Sequence, residues 1–251
     1  MLKTADREKD LPVREGYSGI HEKSGPFHSF LEHTATISFP AILLPTLYLA
    51  IVRLYELDLL WTIVLAVPGG WILSDFISGL IHWLCDTYGT EKTPIVGEAM
   101  IRPFRMHHIY PRDITTHNLV ITIGNTCIVT VPALSIFLIL MLRENPGPAS
   151  SIASVTFAVT SFGTVMTNQF HKWAHLEEIG PWMKIFQKMG IILSPAHHDV
   201  HHVAPHLSHY CITHGWMDYF LEKIKFFRGL EAGLEFVGIQ TTAKKLSVPF
   251  T

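Results

Sequence analysis

The chain has 251 residues, of which 48% are hydrophobic and 16% charged, and its mean hydropathy is +0.28. This composition is too apolar for an average soluble domain. A net charge of −2 gives no electrostatic support for a nucleic-acid partner. Three widely spaced cysteines, Cys85, Cys127 and Cys211, argue against a disulfide framework or a cysteine zinc site.

Four apolar stretches follow a polar N-terminal segment, residues 1–36, which contains no apolar signal-peptide region. They cover residues 37–52, 59–85, 119–142 and 152–170. The last three approach or exceed the roughly 20 residues that cross a bilayer as a helix, whereas the first is short and contains Pro40 and Pro45. The alternative is that these stretches are buried core helices of a soluble protein, but the presence of four such stretches in one chain disfavours that alternative. We therefore predict an all-α integral membrane bundle with about four spans, formed by residues 37–251 as a single domain.

Basic residues indicate the orientation of these spans. If all four stretches cross, 17 of the 19 lysines and arginines lie on one side, which the positive-inside tendency makes cytoplasmic. We expect both termini and a histidine-rich cap on that side of a multi-pass protein, in the endoplasmic reticulum of a eukaryote or the inner membrane of a bacterium. The segment from 215, "GWMDYFLEKIKFF", suits either an interfacial helix or a helix packed on the cap.

Histidine is unusually abundant, with 16 residues, and most of them cluster near the predicted span ends. Residues four apart on a helix point the same way and can bind one ion. Such pairs, together with an adjacent pair and a single following histidine, give the candidate metal ligands His82, Asp86, His107, His108, His117, His171, His175, His197, His198, His201 and His202.

These ligands are too many for one metal ion, which takes four to six, and they suit two ions. Imidazole suits iron, zinc and copper, and no thiolate lies among the candidates. A histidine-rich pair of irons that activates O₂ matches best, as in membrane desaturases and hydroxylases. One ring of each adjacent pair, 107/108 and 197/198, can instead support a ligand from outside the coordination sphere.

Two polar residues fall within predicted spans. Asp75 shares a helical face with His82 and Asp86, and a carboxylate at that depth is costly enough to suggest a function. Asn168 lies three residues before His171. We expect these residues to support the ligands or line a substrate tunnel, although Asn168 suits a helix–helix hydrogen bond equally well.

The motifs "DFISGLIHWLCDT", "IRPFRMHH", "NQFHKWAH", "HHDVHHVAP" and "CITHGWMDYFLEKI" resemble the lipid desaturase family that contains plasmanylethanolamine desaturase, its bacterial relatives and the plastid desaturase of phosphatidylglycerol. The resemblance covers about residues 70–225. It implies two irons, O₂ as co-substrate, and conversion of the sn-1 alkyl ether of a phospholipid into the vinyl ether of a plasmalogen. Departures from the ether-lipid pattern at Tyr110 and Asn118 leave the headgroup and the position of attack open.

Several alternatives remain at this stage. An acyl-lipid desaturase or a hydroxylase would use the same scaffold, and a metal-binding membrane adaptor or a metal transporter would belong to another class. A transporter would place ionisable residues near the bilayer midplane, whereas here they gather at one side. No dinucleotide-binding fingerprint or haem site is visible, so we expect electrons from an external carrier such as cytochrome b5 or a ferredoxin.

Overall fold

The computed structural model describes residues 25–242, which are mostly helical and contain no strand. Most of the predicted polar segment 1–36, and both chain ends, lie outside these residues. In chain order the helices are α1 (Pro26–Glu56), α2 (Ile63–Thr87), α3 (Arg102–Ile109), α4 (Leu119–Met141), α5 (Pro148–His175), α6 (Pro181–Lys188), α7 (Pro195–His201), α8 (Trp216–Lys223) and α9 (Phe226–Phe236). Short 3₁₀ turns precede α2 and α4, and a π-helical turn precedes α3.

Four of these helices, α1, α2, α4 and α5, are long and apolar enough to cross a membrane. The predicted all-α membrane fold is thereby confirmed. The first helix begins earlier than the apolar stretch 37–52, because Pro26 suits the first helical position and the polar turns that follow continue the same backbone hydrogen bonding. Pro40 and Pro45 both lie inside it.

The described chain divides into two compact units, and α2 and α5 contribute residues to both. The span unit contains residues 25–77 and His117–Phe170. Its core is a cluster on α1, α4 and α5 that consists of Ala35, Phe39, Leu43, Ile123, Cys127, Leu134, Ala158 and Val165. Small residues let its helices approach closely: Gly70 lies against Val159, and Thr160 Oγ1 donates to the Gly70 carbonyl oxygen at 3.2 Å.

The histidine unit contains Ser78–Thr116 and residues 171–242. Its irregular segment 202–215 runs along the end of α2. Ile212 N donates to Ser78 Oγ at 3.0 Å, and Cys211 packs so closely on Gly79 that a side chain there would collide with its sulfur. Gly79 therefore sets how near this segment lies to the last turns of α2.

The predicted helix from residue 215 is present but divided. α8 ends before Lys225, whose φ of 53° interrupts the helix, and α9 follows. Asp218 and Leu221 of α8 are buried, so one face packs on the histidine unit, while Trp216, Tyr219 and Phe220 are exposed. The segment thus combines a packed face with an exposed apolar face.

Candidate metal centre

Four helix ends in the histidine unit carry the candidate ligands. Because residues four apart share a helical face, α2 and α5 each direct their two ligands together, and His198 of α7 points the same way as His202 at its C-terminal cap. α2 supplies His82 and Asp86, α3 supplies His107 and His108, α5 supplies His171 and His175, and α7 supplies His198 and His201 with His202 at its C-terminal cap.

The short helix α7 forms for local reasons. Ser194 precedes it and accepts a hydrogen bond from His197 N at 3.3 Å, which satisfies one of the free amides at the helix start. Pro195 stands in the first turn, where a missing N–H costs nothing. Because the helix begins at Pro195, His198 and His201 of "HHDVHH" lie on its buried side.

The first ligand group, group A, consists of five histidines: His107, His171, His175, His198 and His202. One ring nitrogen from each lies within 4.8 Å of all the others. The Nε2 atoms of His107 and His171 are 2.8 Å apart, those of His171 and His175 are 3.2 Å apart, and those of His198 and His202 are 2.9 Å apart.

The second ligand group, group B, consists of His82, Asp86, His108 and His201. Oδ2 of Asp86 lies 3.4, 3.7 and 3.5 Å from Nε2 of His82, His108 and His201, respectively. The Nε2 atoms of His108 and His201 are 2.8 Å apart. A single carboxylate therefore faces three imidazoles.

Both groups fit metal ions. Two nitrogens that bind one ion at about 2.1 Å and at right angles to each other are about 3 Å apart, which is close to the observed spacings. In group B, Nε2 of His82 and both carboxylate oxygens of Asp86 are buried without a hydrogen-bond partner. Buried polar atoms are normally satisfied, and a cation among these atoms would satisfy all three.

The groups lie side by side. Ring centroids of His108 and His202, one from each group, are 5.8 Å apart, and those of His198 and His201 are 5.9 Å apart. His107 and His108 are consecutive residues yet belong to different groups. This arrangement can hold two ions next to each other.

Backbone carbonyls orient two rings of group B from outside. Nδ1 of His82 donates to the Tyr210 carbonyl oxygen at 3.0 Å, and Nδ1 of His201 donates to that of Ser208 at 2.7 Å. A proton held on Nδ1 leaves the lone pair on Nε2, which faces the group. The ring of His206 stacks on His108 with centroids 4.3 Å apart.

Burial also sets the charge of the rings. It lowers the pKa of His107, His108 and His198 well below the usual 6.5, and the neighbouring imidazoles lower it further. The pKa of His202 falls to about 2 for the same reasons. These four rings are therefore neutral at physiological pH, as metal ligation requires.

The two groups together contain nine of the predicted ligands, and they do not include His197 or His117. His197 instead binds Asp218, with its Nε2 2.8 Å from Oδ2. His117 belongs to the span unit. So do Asp75, which is fully buried, and Asn168, whose amide donates to the Thr122 carbonyl oxygen at 3.2 Å. That bond is the helix–helix contact expected as one alternative for Asn168.

Two supporting residues were not predicted. Asp218 binds His197 and also accepts a hydrogen bond from Cys211 N at 3.0 Å. Arg105 donates to the carbonyl oxygens of Cys85, Tyr88 and Gly89, each at 3.0 Å. The sequence signals for both residues were weak. Asp218 is an acidic residue in the otherwise apolar segment "GWMDYFL", and Arg105 is an arginine shortly before the double histidine.

The fold and the two ligand groups define a membrane protein with a histidine-rich site that could hold metal ions. Comparison with known protein families shows which family of membrane proteins this is. Residues 71–244 match the lipid desaturase domain, and the chain therefore belongs to the lipid desaturase family. The resemblance predicted from the motifs is confirmed.

Individual relatives span animals, bacteria and plants. Plasmanylethanolamine desaturase 1 of Mus musculus is 43% identical over 173 residues, 67% of this chain and 64% of the relative. Plasmanylethanolamine desaturase of Myxococcus xanthus is 35% identical over 224 residues, 88% of this chain and 75% of the relative. Fatty acid desaturase 4-like 1, chloroplastic, of Arabidopsis thaliana is 33% identical over 177 residues, 68% of this chain and 56% of the relative. No solved structure matches the chain.

Proposed function

We propose that the chain is a di-iron, O₂-dependent lipid desaturase that converts the sn-1 alkyl ether of plasmanylethanolamine into the vinyl ether of a plasmalogen. The observation that carries the proposal is the pair of adjacent, buried ligand groups. The names of the mouse and Myxococcus relatives support the ether-lipid substrate.

Iron is the metal that best fits the required chemistry. The groups offer imidazole nitrogens and one carboxylate, a ligand set suited to iron, zinc or copper. A C–H bond in a lipid chain does not yield to side-chain acid–base catalysis, so a redox-active metal is needed. Zinc has no redox chemistry, which leaves iron and copper, and the resemblance to histidine-rich di-iron desaturases favours iron.

The proposed reaction balances with an external source of electrons. A saturated –CH₂–CH₂– unit, O₂, two electrons and two protons give –CH=CH– and two molecules of water. Two irons bound at the groups would supply the activation of O₂ and the removal of both hydrogens. Electrons would come from a carrier such as cytochrome b5 or a ferredoxin.

The chain's own residues would hold the ligands in place and keep water out. The carbonyl oxygens of Tyr210 and Ser208 orient two rings, as described above. His82, His198 and His201 are each no more than 1% exposed. The two carbonyl contacts turn the Nε2 lone pairs of His82 and His201 toward the group that would hold an ion.

We further propose that both termini and the ligand groups face the cytoplasm, in the endoplasmic reticulum or the bacterial inner membrane. The 17-to-2 distribution of basic residues supports this orientation. A soluble or membrane-anchored electron carrier could then reach the histidine unit from the cytoplasmic side.

A second candidate is an acyl-lipid desaturase on the same scaffold. The similarity to chloroplast fatty acid desaturase 4 proteins favours it, at 33% and 31% identity for two of them. The ligand groups serve either reaction equally, because they determine the oxidant and not the chain that is presented to it.

Lipid analysis separates these two candidates. The chain is expressed in cells that contain alkyl ether phospholipids but no plasmalogens, and acid-labile vinyl ethers are measured. We expect vinyl ethers with the native chain and none with His201→Ala. A new double bond in an ester-linked acyl chain, without vinyl ether, would instead select the acyl-lipid desaturase.

A further inference from the structure

Helix α6 of the histidine unit has an exposed apolar stripe. Trp182, Ile185, Phe186 and Met189 follow the spacing of one helical face and are 67%, 43%, 41% and 63% exposed, respectively. The face that packs on the histidine unit carries Gln187 instead, whose amide donates to the Trp173 carbonyl oxygen at 3.3 Å. The helix is thus anchored by a polar residue and turns its large apolar side chains outward.

Helix α8 adds a second stripe beside the first. Trp216, Tyr219, Phe220 and Ile224 are 48%, 68%, 55% and 51% exposed. The stripes adjoin, because a Cβ added at Gly190, directly after Met189, would lie 3.2 Å from the indole nitrogen of Trp216. Such a continuous apolar surface is uncommon on protein that faces water.

The charges beside this surface are basic. Lys184 and Lys188 of α6 are exposed, as are Lys223 and Lys225 at the end of α8. The exposed acid of α8, Glu222, is engaged by His209, with its Oε1 2.8 Å from Nδ1 of that ring. Aromatic and aliphatic side chains bordered by lysines suit the boundary between acyl chains and phosphate headgroups.

The chain path brings α6 close to a membrane boundary. α5, a candidate span, ends at His175, and α6 begins at Pro181. A connection of this length reaches at most about 20 Å even when fully extended. The first residues of α6 therefore lie near the end of a span, where headgroups are found.

We propose that the stripes of α6 and α8 form one platform that rests in the headgroup–acyl boundary of the bilayer, with the four lysines at lipid phosphates. Both helices are connected to elements that carry ligands: α6 follows the α5 turn that carries His171 and His175, and Asp218 of α8 binds His197 of the ligand-bearing helix α7. The platform thus ties the position of these elements to the membrane surface. The inference does not depend on which lipid the protein modifies.

Spin labels on single introduced cysteines test this platform in the full chain. The chain is placed in phosphatidylcholine nanodiscs, with labels at Ile185→Cys, Phe186→Cys and Phe220→Cys, and with Lys184→Cys and Lys188→Cys as matched controls on α6. The native cysteines are buried, and labelling of the unsubstituted chain measures their background. Collision with O₂, which concentrates in lipid, is compared with collision with the water-soluble chromium oxalate.

We expect the ratio of O₂ to chromium oxalate accessibility to be several-fold higher at the stripe positions than at the lysine positions. Equal accessibility to chromium oxalate at both sets would mean that the stripes face water and would overturn the proposal. Exclusion of both reagents from the stripes would overturn it as well, since a second copy or a protein partner would then cover them.

The unsubstituted chain provides a second measurement in case a labelled variant fails to fold. A phosphatidylcholine analogue with a photoreactive group just below its headgroup is incorporated into the nanodiscs, and crosslinked peptides are identified by mass spectrometry. We expect crosslinks within residues 181–189 and 216–224. Crosslinks confined to the four spans would count against the platform.

Discussion

Asp86 is the single carboxylate among the ligands of either group, and its two oxygens are buried without a hydrogen-bond partner. A buried, unpaired carboxylate is costly, whereas one that binds a cation is stabilised. Burial lowers the pKa of His108, one of the three surrounding imidazoles, which opposes a positive charge on that ring. At the scale of single residues, group B therefore contains a buried carboxylate that a bound cation would stabilise.

Replacing His201 should weaken or abolish metal binding at group B. His201 is fully buried, and its Nε2 lies 3.5 Å from Oδ2 of Asp86 and 2.8 Å from Nε2 of His108. We expect His201→Ala to lower bound iron from two per chain to one or none, measured by metal analysis of purified protein. The protein should remain in the membrane fraction, because each span satisfies its own backbone hydrogen bonds.

The exposed residue His33 supplies the control, because it lies on α1 outside both groups. His33→Ala should keep two irons. If the native chain instead contained one zinc and no iron while remaining active, the di-iron proposal would be wrong.

Asp218 offers a different kind of residue-scale test, since it contacts neither group directly. Its carboxylate joins His197 of α7 to the backbone amide of Cys211. We expect Asp218→Asn to retain two irons at saturating metal but to bind them more weakly, by up to roughly 10-fold, the lower end of the loss that is typical when a group directly behind a ligand is removed. Metal competition with a chelator measures this change, with Glu178→Gln, at an exposed position, as the control. Loss of one full iron equivalent would mean that Asp218 acts as more than a support.

Among the helices, the end of α2 depends on a contact from α3. The last carbonyl oxygens of a helix have no partner within it. Arg105 donates to the carbonyl oxygens of Cys85, Tyr88 and Gly89 and, at 3.3 Å, to Thr242 Oγ1. Because Asp86 and His82 lie in these last turns, this arginine stabilises the helix end that carries half of group B.

Replacing Arg105 by lysine keeps the charge but removes the planar set of donors. We expect Arg105→Lys to reduce stability by about 1–3 kcal/mol, the usual cost of leaving buried acceptors unsatisfied. Thermal unfolding in detergent measures the loss. Arg112→Lys is the matched control, because Arg112 pairs with the exposed Glu177 at 3.1 Å and such surface pairs contribute little. Equal effects of the two substitutions would contradict the role given to Arg105.

For the molecule as a whole, the number of spans decides which side each loop occupies. The helices α4 and α5 are joined by residues 142–147, and α9 is followed by residues 237–242. With four crossings, these connections lie on opposite sides of the membrane. The ligand-bearing ends of α2 and α5 share one side, because α4 and α5 cross out and back between them.

Cysteine labelling tests this topology. Ser150→Cys and Gln240→Cys are introduced separately into the chain expressed in the inner membrane of a bacterium, and a thiol reagent that does not cross this membrane is added to intact cells. We expect labelling at position 150 only, with position 240 reacting after the membrane is opened. Labelling of both positions from the same side would contradict the four-span topology.

Local sequence was sufficient for the features that depend on short spacings. The four spans follow from the length and apolarity of single stretches. The pairs His82/Asp86, His171/His175 and His198/His202 follow from helical periodicity, and the structure brings each pair into one group. Helix bounds were less accurate for α1, because a helix can continue beyond its apolar stretch.

Only the tertiary structure decided how the ligands divide. The adjacent residues His107 and His108 belong to different groups, and His197 turns to Asp218 while its neighbour His198 joins group A. These choices depend on partners far apart in the chain, such as Tyr210 for His82 and Asp218 for His197. Periodicity predicts which side chains of one helix point the same way, but the approach of separate helices determines which side chains meet.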